Sequence, residues 1–363
     1  MDKEQIYCGF FHKKLLFATE FNIDFSDLAQ SNVSSITLSL PFDNNDENKI
    51  SEVNNLLVNL TNIKTLKIDQ YIEDTYLFNG LDNLENLSWL HIANDSSDYS
   101  FVALPKLRNL EIKRLKYKIS DRKIIENINI KQIPNLKRLK FFNTYFNKIS
   151  LDTNNIDHLD LSGNEISSLP EIIFQNKNIL KYLNMSFNNI KSIEELISEG
   201  FLELKTLDLN NNHIKNVPKI ILPKLRYLDL SYNFIEFLAN DTFQNGNLSI
   251  LKINDNFIKK YPTTFFNSMS FLKKLYLSIN IQDIKTNNFA DCKYLKTLFI
   301  DIKITNFNRS KIFLESFLQN CQSIEELHIK VSNAINRRML LINDLYLKNL
   351  QYLKLQILTS TTT

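Results

Sequence analysis

A chain of 363 residues is long enough for two ordinary domains or for one extended repeat array. Its formal net charge of +3 argues against a nucleic-acid or membrane-surface protein, because those need a concentrated basic field. Apolar residues make up 44% of the chain, enough for a continuous core, and five glycines are too few for glycine-rich phosphate-binding loops. No run of about 18 apolar residues predicts a membrane-spanning segment.

Residues 1–30 are predicted to form an N-terminal segment or an imperfect first repeat. The apolar run at residues 6–11 is too short for a secretory signal peptide, and His12, Lys13 and Lys14 interrupt it. The sequence as it stands therefore does not predict secretion.

From residue 31 onward the chain is predicted to be a repeat array, which begins irregularly. Segments of the form L-x-x-L-x-L, with other apolar residues allowed at the leucine positions, start at Val33, Ile63, Leu87, Leu107 and Leu136. From the second segment on, the ninth position holds Tyr71, Asp95, Leu115 and Thr144. Spacings of 30 residues after Val33 and 29 after Leu107 predict inserted loops or longer return segments.

Between residues 156 and 290 the repeat becomes regular. Six consecutive segments follow L-x-x-L-x-L-x-x-N, with starts at Ile156, Leu180, Leu204, Leu225, Leu248 and Leu272. The ninth position holds asparagine each time, at Asn164, Asn188, Asn212, Asn233, Asn256 and Asn280. Further copies start at Leu295, Ile324 and Leu350, which gives fourteen starts about 24 residues apart.

This pattern resembles the leucine-rich-repeat family over nearly the whole chain beyond residue 30. Phenylalanines come five or six residues before a repeat start, at Phe174, Phe243, Phe266 and Phe289. That spacing is similar to the typical animal subclass found in Toll-like and Slit-like ectodomains. The resemblance implies an α/β solenoid over residues 31–363: a curved right-handed coil with a parallel β-sheet on its concave face. It also implies an irregular, short helical or 3-10 convex side, and no clear C-terminal cap is predicted.

Each repeated residue has a physical reason. In a strand such as Leu159–Asp160–Leu161, alternate side chains point to opposite faces, so the leucines turn inward and Asp160 outward. A buried asparagine at the bend can satisfy backbone groups that the turning chain leaves unpaired. We therefore predict a structural asparagine ladder over the six asparagines of the regular repeats.

The outward strand positions are candidates for binding a partner, because the family binds through its concave sheet in most cases. Two features stand out in the predicted register. An aromatic track runs through Tyr182, Phe187, Tyr227, Tyr232, Tyr276 and Phe299. A basic cluster beside Trp89 and His91 comprises Lys113, Arg114, Arg138 and Lys140. Aromatic and arginine side chains dominate many interfaces, but ordinary cross-strand pairing explains tyrosine and phenylalanine on a sheet equally well.

No catalytic, cofactor or metal site is predicted. The chain has no P-loop, H-E-x-x-H or G-x-S-x-G motif. Its concave-face histidines are predicted at least two repeats apart, roughly 14 Å or more, too far to share a metal. Cys292 and Cys321 occupy equivalent places on neighbouring repeats, where they form a disulfide or redox pair or, as we favour, fill buried apolar positions.

These patterns predict a non-catalytic, receptor- or adhesion-like module with a protein ligand on the concave face and neither nucleic acid nor a small-molecule cofactor. The alternative is an intracellular scaffold or regulatory subunit that docks an enzyme. The resemblance implies an extracellular or cell-surface location, whereas the poor signal peptide favours the cytoplasm. Eight N-x-S/T sequons do not decide between them, since an asparagine-rich chain generates many by chance.

Overall fold

The computed structural model describes residues 5–11, 14–15, 34–39, 62–68, 78–91, 98–114, 127–129, 132–144, 148–151, 155–167, 171–174, 177–198, 200–243, 246–259, 261–262, 269–280, 294–303, 318, 322–332 and 347–358. The chain divides into two compact units. The first comprises Met1–Ile166 and Pro170–Leu180, and the second comprises Ser167–Leu169 and Lys181–Thr363.

The described part of the first unit is built on a sheet with one strand per coil. The strands of this unit, including those of two smaller ribbons, are β1 (Gln5–Phe11), β2 (Lys14–Leu15), β3 (Ser35–Ser39), β4 (Thr65–Ile68), β5 (Asn86–His91), β6 (Asp98–Ser100), β7 (Asn109–Arg114), β8 (Asn127–Asn129), β9 (Arg138–Phe142), β10 (Lys148–Leu151), β11 (His158–Asp160) and β12 (Glu171–Phe174). The sheet order is β2-β1-β3-β4-β5-β7-β9-β11, and every pairing is parallel except that of β2 with β1.

The second unit repeats this arrangement. Its strands are β13 (Tyr182–Asn184), β14 (Thr206–Asp208), β15 (Tyr227–Asp229), β16 (Ile250–Lys252), β17 (Lys274–Asn280), β18 (Thr297–Lys303), β19 (Glu326–Ser332) and β20 (Tyr352–Ile357). They pair in chain order and all in parallel. Parallel pairing of consecutive strands requires the chain to return after each one, so these coils stack as a solenoid.

The core lies where the repeat pattern places its leucines. Leu207, Leu228, Leu251 and Leu275 occupy the fourth position of successive coils, stand opposite one another in the register, and are fully buried. Burying a leucine contributes about 1.5–3 kcal/mol. The predicted inward stacking is confirmed, because each coil covers the apolar face of the coil before it.

A row of buried asparagines follows the strands, as Asn212 shows. Its Oδ1 accepts the Ile190 N–H at 3.0 Å, and its Nδ2 donates to the carbonyls of Met185 at 2.9 Å and Leu209 at 3.0 Å. One side chain thus links its own coil to the preceding coil. The same bonds to the preceding coil recur at Asn164, Asn233 and Asn256. Asn188 is buried in the same way, while the Asn280 side chain lies outside the described residues.

The described return segments contain little helix. They include two short parallel ribbons, β6 with β8 and β10 with β12. Beside these lie a 3-10 turn at Lys177–Ile179 and the short helix α1 (Glu194–Ser198). Return-side Phe243 is buried, Phe174 lies on β12, and Phe266 and Phe289 fall outside the described residues.

Candidate protein-binding face

The outward sheet face consists of the side chains at the third, fifth and seventh positions of each coil. In the first unit these side chains largely satisfy one another. Asn109 donates to the Asn86 side chain, and Asn86 donates to Thr65 Oγ1 at 3.0 Å. Such a polar ladder gives the first unit a hydrophilic surface whose hydrogen bonds are already made.

The prediction that Trp89 lies on this face is wrong. Trp89 is 1% exposed and occupies the sixth position of its coil, opposite Ile68 and Ile112 in the register. Its ring packs edge-on against Phe78 at 5.4 Å and Phe101 at 5.8 Å between centroids. The indole is therefore a core side chain.

The error is a shift of three residues in the coil start. Both Leu84 and Leu87 begin an L-x-x-L-x-L segment with apolar residues at the right places, and the structure uses Leu84. This register turns Asn86 and Ser88 outward and buries the tryptophan, which is the better physical solution because both outward side chains are polar. His91 ends β5, and its side chain lies outside the described residues.

The prediction of a basic cluster is also corrected, because carboxylates pair with two of its lysines. Glu111 lies 3.2 Å from Lys113 and 3.4 Å from Lys140, and Lys140 lies 3.7 Å from Asp160. Burial acts to raise the pKa of Glu111, but hydrogen bonds from Lys113 and Ser88 and the charges of both lysines lower it. Lys113 and Lys140 therefore do not form an open anion site.

The structure describes one of the two arginine side chains of that cluster. Arg138 is exposed at the start of β9, and Arg114 ends β7 with a side chain outside the described residues.

The outward face of the second unit has a different character, beginning with a partly buried ion pair. Lys252 lies 3.0 Å from Asp229, whose side chain is 4% exposed. Tyr227 donates to Asp229 at 3.0 Å, and the lysine ammonium lies 5.2 and 5.5 Å from the ring centres of Tyr227 and Tyr276. Burial raises the pKa of Tyr227 to about 12, so its hydroxyl stays protonated and remains a donor at neutral pH.

Next to this pair, four rings on neighbouring strands form a continuous row, which we call the aromatic row. Tyr276 and Phe299 stack at 4.2 Å, Phe299 and His328 stack at 3.9 Å, and His328 meets Tyr352 at 5.2 Å with a tilt. Tyr352 is half exposed, and the other three rings are partly exposed. Burial lowers the pKa of His328. The negative charge of Glu326 acts to raise this pKa, and the positive charge of Lys354 acts to lower it further.

A pocket of about 290 Å³ opens beside the aromatic row. Tyr276, Phe299 and His328 line it, together with the ion pair between Lys330 and Asp301 at 2.9 Å. Apolar ring surface with a few fixed charges is the composition typical of a site that receives a partner's side chain.

The structure distributes the predicted aromatic track over two surfaces. Tyr182, Tyr227, Tyr276 and Phe299 lie on the outward sheet face and are partly exposed. Phe187 and Tyr232 lie beyond the strands, are 62% and 53% exposed, and adopt positive φ angles of 55° and 54°. Both belong to the segments that follow the strands, and Tyr232 also lines the pocket beside the aromatic row.

Sequence reasoning placed His328 on the concave face without including it in the aromatic track, and it missed Tyr352, Phe234 and Phe257. His328 and Tyr352 extend the aromatic row onto β19 and β20, where the fifth and third repeat positions mark them. Phe234 and Phe257 occupy the tenth position, and alternation of buried and exposed residues continuing past the bend asparagine would have identified them.

Within the part of the chain that the structure describes, no three His, Cys, Asp or Glu side chains are arranged to hold a metal ion. In the same residues, no helix combines the length and apolar character that a membrane crossing requires. Cys292 and Cys321 lie outside the described residues.

Family comparisons agree with the repeats. Residues 154–214 match the family model described as Leucine rich repeat, and residues 203–241 match that of Leucine Rich repeats in two copies. The coils within residues 154–241 are thus similar to leucine-rich repeats. No curated protein matches the chain significantly.

Solved structures show the same fold at low sequence identity. TLR13 in complex with ssRNA13 has a TM-score of 0.60 at 18% identity, covering 92% of this chain and 52% of its own. Drosophila Toll in complex with Spatzle has a TM-score of 0.53 at 15% identity, and the match covers 90% of this chain and 44% of the other. A leucine-rich-repeat protein of Leptospira interrogans has a TM-score of 0.52 at 18% identity, and the match covers 86% of this chain and 87% of the other. The chain thus spans about half the length of the TLR13 chain that it matches.

These similarities establish the solenoid and do not select the animal subclass, since a bacterial protein matches as well. Neither the family models nor these neighbours indicate a catalytic family. The expected absence of a nucleic-acid partner stays a prediction, because one neighbour was solved with RNA and another with a protein.

Proposed function

We propose that this leucine-rich-repeat protein binds a protein partner, without catalysis, through the outward sheet face of its second unit. The aromatic row carries this proposal, because its rings remain partly open to solvent on a rigid sheet. Aromatic side chains bury a large area at a small cost in side-chain entropy, and a preordered sheet reduces the ordering cost of association.

The surroundings of the row favour a protein over a small molecule. The pocket of about 290 Å³ lies at the lower end of the range of small-molecule sites, and one or two side chains of a protein partner would fill it while the open rings beside it contact the rest of that partner. Near the pocket, Lys252 and Asp229 already pair with each other. They can therefore belong to the polar rim of an interface without leaving a buried charge unpaired.

Photo-crosslinking tests this proposal. A photoreactive phenylalanine analogue replaces Phe299 in the full chain or, as a control, Ile221, which is 68% exposed and lies outside the strands of the same unit. In native extract we expect a protein crosslinked at Phe299 and not at Ile221. Equal labelling at both sites, labelling of nucleic acid alone, or no labelling would contradict the proposal.

The captured protein is then purified and titrated against three forms of the chain. We expect Tyr276→Ala with Phe299→Ala to weaken binding at least about tenfold, as loss of central aromatic side chains does. Lys273→Ala, at an exposed site that precedes the same strand and lies outside the outward face, should change it less than about twofold. An unchanged affinity of the folded aromatic variant would instead favour simple cross-strand pairing.

The proposal includes a receptor- or adhesion-like role outside the cell, of the typical animal subclass. The buried return-side Phe243 and the fold similarity to Toll, solved with its partner Spatzle, support it. Glycan occupancy at Asn247, whose side chain lies on an exposed turn, tests the location by peptide mapping of the native protein. An unmodified site in every sequon would favour the intracellular scaffold instead.

A further inference from the structure

A second exposed surface lies beside the outward sheet face of the second unit, where the chain leaves the strands. From the bend asparagine onward, buried and exposed residues alternate again: Asn212 and Ile214 are buried, whereas His213 and Lys215 are exposed. Neighbouring segments are hydrogen-bonded, with Phe234 N–H donating to Ile214 O at 2.9 Å and Phe257 N–H to Ile235 O at 3.0 Å. This backbone pairing holds the outward side chains in fixed rows.

The rows carry aromatic residues that we call the strand-end strip: Phe187, His213, Tyr232, Phe234 and Phe257. His213 stacks on Phe234 at 5.4 Å, and Phe234 stacks on Phe257 at 5.7 Å. Phe234 and Phe257 are nevertheless 40% and 60% exposed. Contiguous exposed rings of this kind are typical of an interaction surface.

Lysines form one margin of the strip. Lys191, Lys215 and Lys259 occupy the twelfth position of their coils and are exposed, and Glu236 is the corresponding residue of the coil between those of Lys215 and Lys259. Lys259 pairs with Glu236 at 2.6 Å, and a hydrogen bond from Lys259 lowers the pKa of Glu236, with the charges of Lys259 and Lys215 adding to it. The margin therefore carries a net positive charge next to apolar rings.

Backbone conformation singles out two members of the strip. The eighth position has φ near 54° in four consecutive coils of this unit, at Phe187, Asn211, Tyr232 and Asp255. Asparagine and aspartate tolerate this left-handed region, whereas a bulky aromatic residue there is strained. Phe187 and Tyr232 thus occupy a costly position while remaining exposed, which packing alone does not explain.

We propose that the strand-end strip docks an acidic, apolar segment of a protein partner. The rings take its apolar side chains, and the lysine margin pairs with its carboxylates. The net positive charge of the margin favours an acidic segment over a basic one.

Peptide selection on the full chain tests the proposal. A random twelve-residue phage library is panned against the protein, and selected peptides are titrated by fluorescence anisotropy. We expect enrichment of peptides that combine Asp or Glu with large apolar residues, and binding that weakens as salt rises. The Phe234→Ala/Phe257→Ala variant should bind at least about tenfold more weakly.

Charge reversal gives a second variant that leaves the rings intact. Lys191→Glu with Lys215→Glu should also weaken binding about tenfold, whereas Lys181→Glu with Lys205→Glu, at the exposed opposite ends of the strands, should not. The Tyr276→Ala/Phe299→Ala variant should bind these peptides normally, which separates this surface from the aromatic row. No enrichment, enrichment without acidic residues, or binding instead to phosphatidylserine vesicles or single-stranded RNA would overturn the proposal.

Discussion

At the scale of single residues, the bend asparagines stabilise the coil by using both ends of the amide group. Asn212 accepts one backbone N–H and donates to two backbone carbonyls, all of them buried. No other uncharged side chain of that size offers an acceptor and two donors in one plane. The asparagine therefore replaces backbone pairing where the chain turns.

Removing this amide should destabilise the fold measurably. We expect Asn212→Ala to lower the free energy of unfolding by roughly 1–3 kcal/mol, because buried backbone groups lose their partners. Asn212→Asp should cost more at neutral pH, since a carboxylate cannot donate to the Met185 and Leu209 carbonyls. Urea denaturation measures both, and Asn216→Ala, at an exposed position of the same coil, is the control. Equal stability of Asn212→Ala and that control would contradict the structural role.

The stacked imidazole of His328 gives a prediction about pH. Burial holds its pKa below the usual value, Glu326 opposes this, and Lys354 adds to it. A lowered histidine pKa means that the folded protein prefers the neutral ring. The free energy of unfolding should therefore keep its full value above about pH 6.5 and decrease as the pH falls. NMR titration should show the His328 pKa rising in Lys354→Gln and falling further in Glu326→Gln. A shift in the opposite direction would show that the local charges are misassigned.

Sequence reasoning erred on the surface where two registers competed or where charges cancel. The Trp89 coil fits two starts, and comparing the polarity of the outward side chains would have selected the one with Asn86 and Ser88 outside. Lys113 and Lys140 are basic in the sequence, but Glu111 between them becomes visible as a shared partner only once strands are aligned. Such pairing depends on neighbouring coils, which a linear pattern does not contain.

At the scale of elements, the residue at the ninth position is related to the length of most strands of the second unit. The strands β13 to β16 have three residues each, and their coils carry a buried asparagine there. The strands β18 and β19 have seven residues, and Lys303 and Ser332 stand at that position. In β18 and β19 the strand pairing continues to the ninth position, where Lys303 stands opposite Ser332. The strand β17 departs from this relation, because it has seven residues although Asn280 stands at the ninth position of its coil, and it pairs along its whole length with the long strand β18. Strand length was thus only partly predictable from the asparagine pattern.

The segment that follows each strand carries strain that a substitution can remove. Phe187 has φ 55°, close to the 53° of Asn211 at the same position of the next coil. We expect Phe187→Asn to raise the free energy of unfolding by about 1 kcal/mol, because asparagine adopts this conformation at lower cost. The same change should weaken peptide binding by the strand-end strip. Urea denaturation measures this change, and Phe257→Asn, at an exposed site outside the left-handed region, is the control. Equal effects of the two substitutions on the free energy of unfolding would contradict the strain argument.

At the scale of the whole molecule, a fold made of stacked coils was predictable because the same leucine and asparagine positions recur along the chain. Each coil contacts mainly the coils before and after it, so stability should follow neighbouring coils rather than one central core. The exposed aromatic surfaces were less predictable, because they depend on side chains that the repeat does not fix.

This nearest-neighbour organisation predicts how a core defect spreads. Leu228 is fully buried between Leu207 and Leu251, and truncating it to alanine should cost about 2–5 kcal/mol. We expect hydrogen–deuterium exchange in Leu228→Ala to accelerate in β14, β15 and β16, with the smallest change in β7 and β9. The matched variant Leu110→Ala, at the same repeat position in the first unit, should show the reverse pattern. A uniform acceleration over all strands in both variants would mean that the chain unfolds as one cooperative body, in which case a local loss of packing would no longer be confined to the coils that share it.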